Sequence, residues 1–186
     1  MLNLPLDKKI ILFSGKYIDK KRPMDLVKAF SLLNDPTTIL VMVGEGELRI
    51  EMEEFIAANN IKGILLTGFV NQSEISKYYA VSDVFVMCSG QGETWGLSVN
   101  EAMNFGKPLI VSRTCGSCVD LVQDGVNGFS FTEGNINELK SCLEKLLNDN
   151  DFRVRSGEVS LKVIEQYSIC NIVSNIVNAT RISLTE

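Results

Sequence analysis

Histidine is absent from all 186 residues. The one C-x-x-C, Cys115-Gly-Ser-Cys118, therefore has neither a second pair nor an imidazole with which to complete a zinc site. Positive charge is also in short supply. Lys and Arg number 18 against 23 Asp and Glu, for a net charge of −5 and a pI near 4.9. That balance lacks the positive field that nucleic-acid binding draws on. No apolar run approaches the ~18 residues of a membrane span. The opening MLNLPLDKK has no basic leader and no long apolar segment, so no secretory signal is read there. Without such a signal, five cysteines scattered through apolar segments read as reduced thiols of a cytoplasmic protein. Asn71-Gln-Ser73 and Asn178-Ala-Thr180 then fit the glycosylation pattern by chance. Two phosphate-binding motifs are missing too. Ile10 stands where a P-loop ending in Gly15-Lys16 needs glycine, and Tyr17 where it needs Ser or Thr. No G-x-G-x-x-G follows the first apolar run.

What is present is an ordinary globular composition, 45% hydrophobic and 22% charged, sufficient for one domain with one full core. Apolar runs recur at 8–15, 37–46, 63–69, 83–89 and 107–112. They are continuous rather than alternating, which predicts strands buried on both faces, as in a parallel sheet. GFSF at 128–131 offers a short sixth strand. Helical patterns lie between. Met24, Val27 and Phe30 to Leu33 follow Pro23, a good first helical residue. Leu48, Met52, Phe55 and Ile56 mark a helix over 47–58; Ile75, Tyr78 and Tyr79 mark another. Ile136, Leu139, Leu143, Leu146 and Leu147 mark a fourth, with Asn135 as its cap, and the last ~35 residues read as helical. Strand and helix alternate, so the expected fold is α/β, a Rossmann-like, doubly wound parallel sheet with right-handed crossovers.

Such sheets bind ligands beyond the carboxyl ends of their strands. The loops there are Gly15–Pro23, Gly44–Gly46, Gly68–Ser73, Ser89–Leu97 and Ser112–Val119. The first carries Lys16, Lys20, Lys21 and Arg22, a candidate clamp for phosphate oxygens or a solvated turn. Gly44-Glu-Gly46 reads as a plain strand-to-helix turn. Asp149-Asn-Asp151 has a D-x-D form but falls between two helices, where capping accounts for it. In GQGETWGLSVNEAMNFGKP, Gly92 and Gly96 permit unusual backbone angles. The amides near Trp95 to Leu97 open a helix and are able to bind an anion. Glu101, just inside that helix, is placed to accept from a vicinal diol, and Glu93 in the turn from a second polyol. Ribose, diphosphate and hexose together make a nucleotide sugar. Two rivals stand beside this reading: a thiol–disulfide oxidoreductase working through Cys115 and Cys118, and a non-catalytic Rossmann-like binding module.

The E-x7-E of Glu93 and Glu101, with Trp95-Gly96 inside it, resembles the signature of the family 4 glycosyltransferases, retaining enzymes of the GT-B fold. Gly15-Lys16 followed by Lys21, then LVMVGEG, TGFV, VSDVFV, EAMNFGKPLIVS and DLVQDGVNGFSF, are similar to other elements of that family in order and spacing, over roughly residues 8–150. The resemblance implies roles. Lys16 and Lys21 would contact the donor diphosphate and stabilise the leaving nucleotide. Glu93 would bind donor-sugar hydroxyls. Gly15 and the backbone of Thr94, Trp95, Gly96 and Leu97 would meet phosphate and sugar oxygens. Val70 would meet the base and Glu101 the ribose. No metal and no cofactor are implied; the donor would be UDP-, GDP- or ADP-linked. Lys16 stands where the family has arginine, which keeps the charge and loses the bidentate fork. Cys115 to Asp120 replaces a Gly-Gly…Glu segment, with Asp120 keeping a carboxylate and Cys118 read as packing. The resemblance further implies that residues 1–186 are the C-terminal donor-binding domain alone, with terminal helices at about 151–180. The N-terminal acceptor domain, which usually brings a catalytic histidine and allows a peripheral membrane contact, would be missing. The expectation is a cytoplasmic protein at the inner face of the membrane, active in polysaccharide or glycolipid synthesis only with that other half. Ile172, Val173, Ile176 and Val177 would then be exposed.

Overall fold

The computed structural model describes residues 4–5 and 7–183. Six strands, β1 (Lys9–Ser14), β2 (Thr38–Val43), β3 (Ile64–Gly68), β4 (Val84–Met87), β5 (Leu109–Ser112) and β6 (Gly128–Phe131), form one parallel sheet. Its order is β3-β2-β1-β4-β5-β6. All six residues of β2 are buried, as are all four of β4 and of β5. A strand with no wet face has no reason to alternate, which is why these segments read as unbroken apolar runs. GFSF is a full sixth strand, in register with β5 from Leu109 opposite Gly128 to Ser112 opposite Phe131.

Helices α1 (Pro23–Leu33), α2 (Arg49–Ala58), α3 (Gln72–Val81), α4 (Leu97–Asn104), α5 (Cys118–Leu121), α6 (Ile136–Asn148), α7 (Asn150–Glu165) and α8 (Ile169–Ser183) connect and cover the strands. One face of the sheet packs Phe13, Leu40 and Ile110 against Leu26, Met52 and Leu139 of α1, α2 and α6. The other packs Leu12, Phe85 and Val111 against Tyr79, Val99, Cys118 and Val163 of α3, α4, α5 and α7. Burying each such large apolar side chain contributes roughly 1.5–3 kcal/mol, an upper estimate given a compact unfolded state. The chain is thus doubly wound, as its pattern predicts.

Caps set the helix ends. Pro23 opens α1. Asn135 accepts from the Glu138 amide at 3.1 Å and Asp149 from the Phe152 amide at 2.8 Å. Each cap is worth about 1 kcal/mol, and Asp149-Asn-Asp151 is accounted for by this role. The helix expected over 47–58 starts later, at Arg49, because the Leu48 amide donates to Tyr17 O at 3.0 Å and holds residues 47–48 in a turn. At the far end, Ile172, Val173, Ile176 and Val177 of α8 are 42–61% exposed, in keeping with the expectation. Among the described residues no helix is long and apolar enough to cross a membrane.

Candidate functional site

Strand order reverses between β1 and β4, so the loops that follow them part and leave a crevice at the carboxyl edge. Two close approaches shape one side of it. A Cβ on Gly44 (φ 151°) would stand 1.9 Å from Gly15 O, and one on Gly46 would stand 2.4 Å from Tyr17 O. Only glycine lets the loop after β2 lie against the loop after β1 in this way. Tyr17 is buried beneath them and donates its hydroxyl to Met42 O at 2.6 Å. Above lies a cleft of about 370 Å³ lined by Gly15, Lys16, Gly44, Glu45, Val70 and Glu101, among others. Gly44-Glu-Gly46 is therefore more than a turn: it forms one wall.

Glu101 faces this cleft from α4 and is held from behind. Its Oε2 accepts from the buried Tyr79 hydroxyl at 2.7 Å, and its Oε1 lies 3.4 Å from Gln72 Nε2. Burial raises the Tyr79 phenol far above its ordinary value, and the neighbouring carboxylate adds to that, so Tyr79 is a permanent donor. These two contacts leave the carboxylate with lone pairs facing the cleft.

Beside the cleft, the Lys21 ammonium is paired with the Glu93 carboxylate, whose side chain is 10% exposed. Lys21 Cδ lies 3.8 Å from where a Cβ on Gly15 would stand, which places the pair at the cleft's edge. Burial pushes the Glu93 carboxyl up, but the Lys21 hydrogen bond and charge, the Lys20 charge and a Ser89 hydrogen bond outweigh it and hold it below its ordinary value. The Glu93 loop is anchored by Gly90 N donating to Lys20 O (2.8 Å) and Gly116 N donating to Glu93 O (2.9 Å). It ends at Gly96, whose φ of 87° is left-handed and whose missing Cβ would lie 3.0 Å from Cys115 Sγ and 3.1 Å from Met87 Cε. The amides of Gly96, Leu97 and Ser98 open α4 and have no acceptor among the described residues. Amides in this position at a helix start are free to donate to an anion.

Each residue singled out by sequence is located by these contacts. Gly15, Lys16, Val70 and Glu101 share the cleft. Lys21 and Glu93 form the adjoining pair, and Thr94 to Leu97 run between that pair and Glu101. Lys16 is exposed, its ammonium without a partner among the described residues. The Trp95 side chain turns away. Its Nε1 donates to Asn100 Oδ1 at 2.8 Å and its ring lies 6.0 Å from that of Tyr167, so only its backbone faces the loop. Tyr79, Gln72, Glu45 and Glu133 were not picked out by sequence. Cys115 and Cys118 are free thiols, 1% and 6% exposed. Burial raises both, Cys118 to about 11, and Cys115 donates to Trp95 O at 3.2 Å. A redox thiol needs the opposite shift and an open approach, so the oxidoreductase alternative finds no support here and Cys118 is a packing residue.

Residues 2–162 match a family model described as glycosyl transferases group 1. Over 165 residues the chain is 30% identical to the sulfoquinovosyl transferase SQD2 of Arabidopsis thaliana, covering 87% of this chain and 31% of that protein. Over 183 residues it is 28% identical to the poly(glycerol-phosphate) alpha-glucosyltransferase of Bacillus subtilis, covering 94% of this chain and 26% of that one. The chain thus spans about a third or less of these two curated relatives. Among solved structures, the Anabaena protein HepE in complex with UDP and glucose superposes with a TM-score of 0.84 at 21% identity, over 94% of this chain and 48% of that one. At that identity the likeness bears on the fold.

Proposed function

The chain belongs to the group 1 glycosyl transferases, and from that premise we propose that it is the donor-binding domain of a retaining GT-B enzyme that transfers a hexosyl group from a nucleoside-diphosphate sugar. The observation that supports this reading is that Glu101 lines the cleft with Gly15 and Lys16, the Lys21–Glu93 pair lies at its Gly15 edge, and the chain between Glu93 and Glu101 carries the α4 amides that have no acceptor among the described residues. In this reading Glu101 is the diol acceptor, the amides and lysines the diphosphate site, and Glu93 the second polyol acceptor.

In this reading the base enters the cleft beside Val70, and the ribose 2′- and 3′-hydroxyls donate to Glu101. Gly15 leaves room for the phosphates. Lys16, Lys21 and the amides of Gly96 and Leu97 take the diphosphate, and Glu93 with the Thr94 and Trp95 backbone takes the sugar. As the glycosidic bond breaks, negative charge grows on the departing diphosphate. Fixed cations and helix-end amides stabilise that charge more than the ground state, which lowers the barrier. No residue of this chain is assigned as general base, and the reading uses no metal. The acceptor, and an N-terminal domain to hold it, belong to the whole protein. The place of action is the cytoplasm at the inner face of the membrane, in polysaccharide or glycolipid synthesis.

Calorimetric titration of this chain with UDP, GDP and ADP tests the reading. One of the three is expected to bind selectively, and Glu101→Ala is expected to weaken that binding about tenfold or more. Binding of none, or binding indifferent to Glu101, would overturn it.

A further inference from the structure

Glu133 lies outside the nucleotide cleft, in the loop between β6 and α6, with its side chain 26% exposed. Its two oxygens reach three other strand-end loops. Oε1 faces Arg22 Nη1 at 3.3 Å, in the loop after β1. Oε2 accepts from the Gln91 amide at 3.2 Å, after β4, and from Thr114 Oγ1 at 2.9 Å, after β5. The fit is close: a Cβ on Gly90 would stand 2.3 Å from Glu133 Oε1. The contacts fall beside the donor-binding pair, since Arg22 directly follows Lys21 and Gly90-Gln91 leads into Glu93.

Two features argue for more than general stabilisation. Arg22 is held in the left-handed region, at φ 48° and ψ 46°, unfavourable for a side chain of its size. Its guanidinium is shared between Asp25 Oδ2 at 2.6 Å and Glu133. Strained residues persist where their surroundings over-determine them, and they gather at functional sites. Partly exposed ion pairs, for their part, add little to stability. A carboxylate that spans four loops and fixes a strained residue next to a donor-binding lysine serves geometry.

We propose that Glu133 is a positioning residue, one that sets the separation of Lys21 and Glu93 and so tunes recognition of the donor diphosphate without touching the nucleoside. This rests on the donor-site reading above. The test is titration of wild type, Glu133→Gln and Thr114→Val with UDP, GDP and ADP, and with uridine, guanosine and adenosine followed by ligand-observed NMR. Glu133→Gln is expected to lose about tenfold in affinity for the preferred diphosphate. Its nucleoside affinity should stay within about twofold, with a melting temperature within about 2 °C of wild type. Thr114→Val, which removes one of the three contacts, should show a smaller loss of the same phosphate-only kind, and it decides the matter if Glu133→Gln fails to fold. Equal losses for diphosphate and nucleoside, or no loss for either, would overturn the positioning role while leaving the donor site standing. A wild-type chain that binds none of the six would overturn the donor-site reading and this proposal together.

Discussion

The Lys21 ammonium and the Glu93 carboxylate are ion-paired across the gap between the loops that follow β1 and β4. Both are assigned to the donor, so in the unliganded chain each already holds one contact with the other. The three N–H donors of Lys21 would be shared between Glu93 and an incoming phosphate, and the two anions compete for its charge. Two opposite effects on nucleotide affinity follow. Lys21→Ala removes a charge-assisted contact and should weaken nucleoside-diphosphate binding by roughly 1.5–3 kcal/mol. Glu93→Ala frees Lys21 and should leave that affinity unchanged or tighter. In the whole enzyme both variants should lose most transfer, because Glu93 is assigned to the sugar. Calorimetry on this chain and initial rates on the full protein separate the two contributions. A Glu93→Ala variant that binds the diphosphate more weakly than wild type would contradict the competition.

The same pair makes stability depend on acid. Glu93 titrates below its ordinary value of 4.5 in the folded chain. A carboxyl with a depressed folded pKa contributes stability that is fully present above the unfolded pKa and is lost as pH falls through the folded one. Wild type should therefore melt higher than Glu93→Gln near neutrality, and the difference should shrink as pH falls below 4.5. Thermal scans of both proteins from pH 7 to pH 3 check this. A gap that stays constant through that range would mean the pair does not titrate as assigned.

Tyr79 holds Glu101, the carboxylate assigned to the ribose under the proposed function, through the 2.7 Å bond from its hydroxyl to Glu101 Oε2. Tyr79→Phe keeps the ring, which packs 5.8 Å from Phe85 and 5.7 Å from Phe105, and removes only the donor. Glu101 then loses one of the bonds that orient it. Ribonucleotide affinity should fall by about 1–2 kcal/mol, and the preference for a ribo- over a 2′-deoxyribonucleotide should narrow. A variant that binds both more weakly, with the preference intact, would show that Tyr79 supports the fold and not the diol site.

Much of this was legible in the sequence, and the failures have a physical pattern. The strands declared themselves because a strand buried on both faces must be apolar throughout, as β2 is. Lys21 and Glu93 stand out as charges in strand-end loops, and Glu101 as a carboxylate in the second turn of the helix that follows one. Helical periodicity puts Tyr79 on an apolar helix face, where it lies; periodicity reports which way a side chain points and not what its polar tip meets. Glu133 follows β6 in a polar turn, and its partners come from three other loops, so no local spacing marks it. Trp95 is expected to act through its backbone, and the packing of its ring on Tyr167 is compatible with that expectation. Gly44-Glu-Gly46 looked like any turn, since close approach to Gly15 O is a tertiary fact.

Thiol accessibility discriminates between the readings with the least material. Cys88, Cys115, Cys118 and Cys142 are buried, and Cys170 on α8 is exposed. Burial pushes the four buried thiols above the ordinary value, Cys118 and Cys142 to about 11, so little thiolate forms at neutral pH. Under native conditions a thiol reagent should modify one cysteine quickly, and all five only after denaturation. Substituting Cys170→Ser should abolish the fast phase. If Cys115 reacted in the native chain, the loop carrying Glu93 would have to open, because Cys115 Sγ donates to Trp95 O and lies against the position where Gly96 lacks a side chain. A saturating nucleoside diphosphate at the α4 amides should hold that loop closed and suppress such a reaction. Reactivity of Cys115 that persists unchanged with bound nucleotide would return the C-x-x-C to consideration as a redox centre, and would count against the loop arrangement on which the donor site depends.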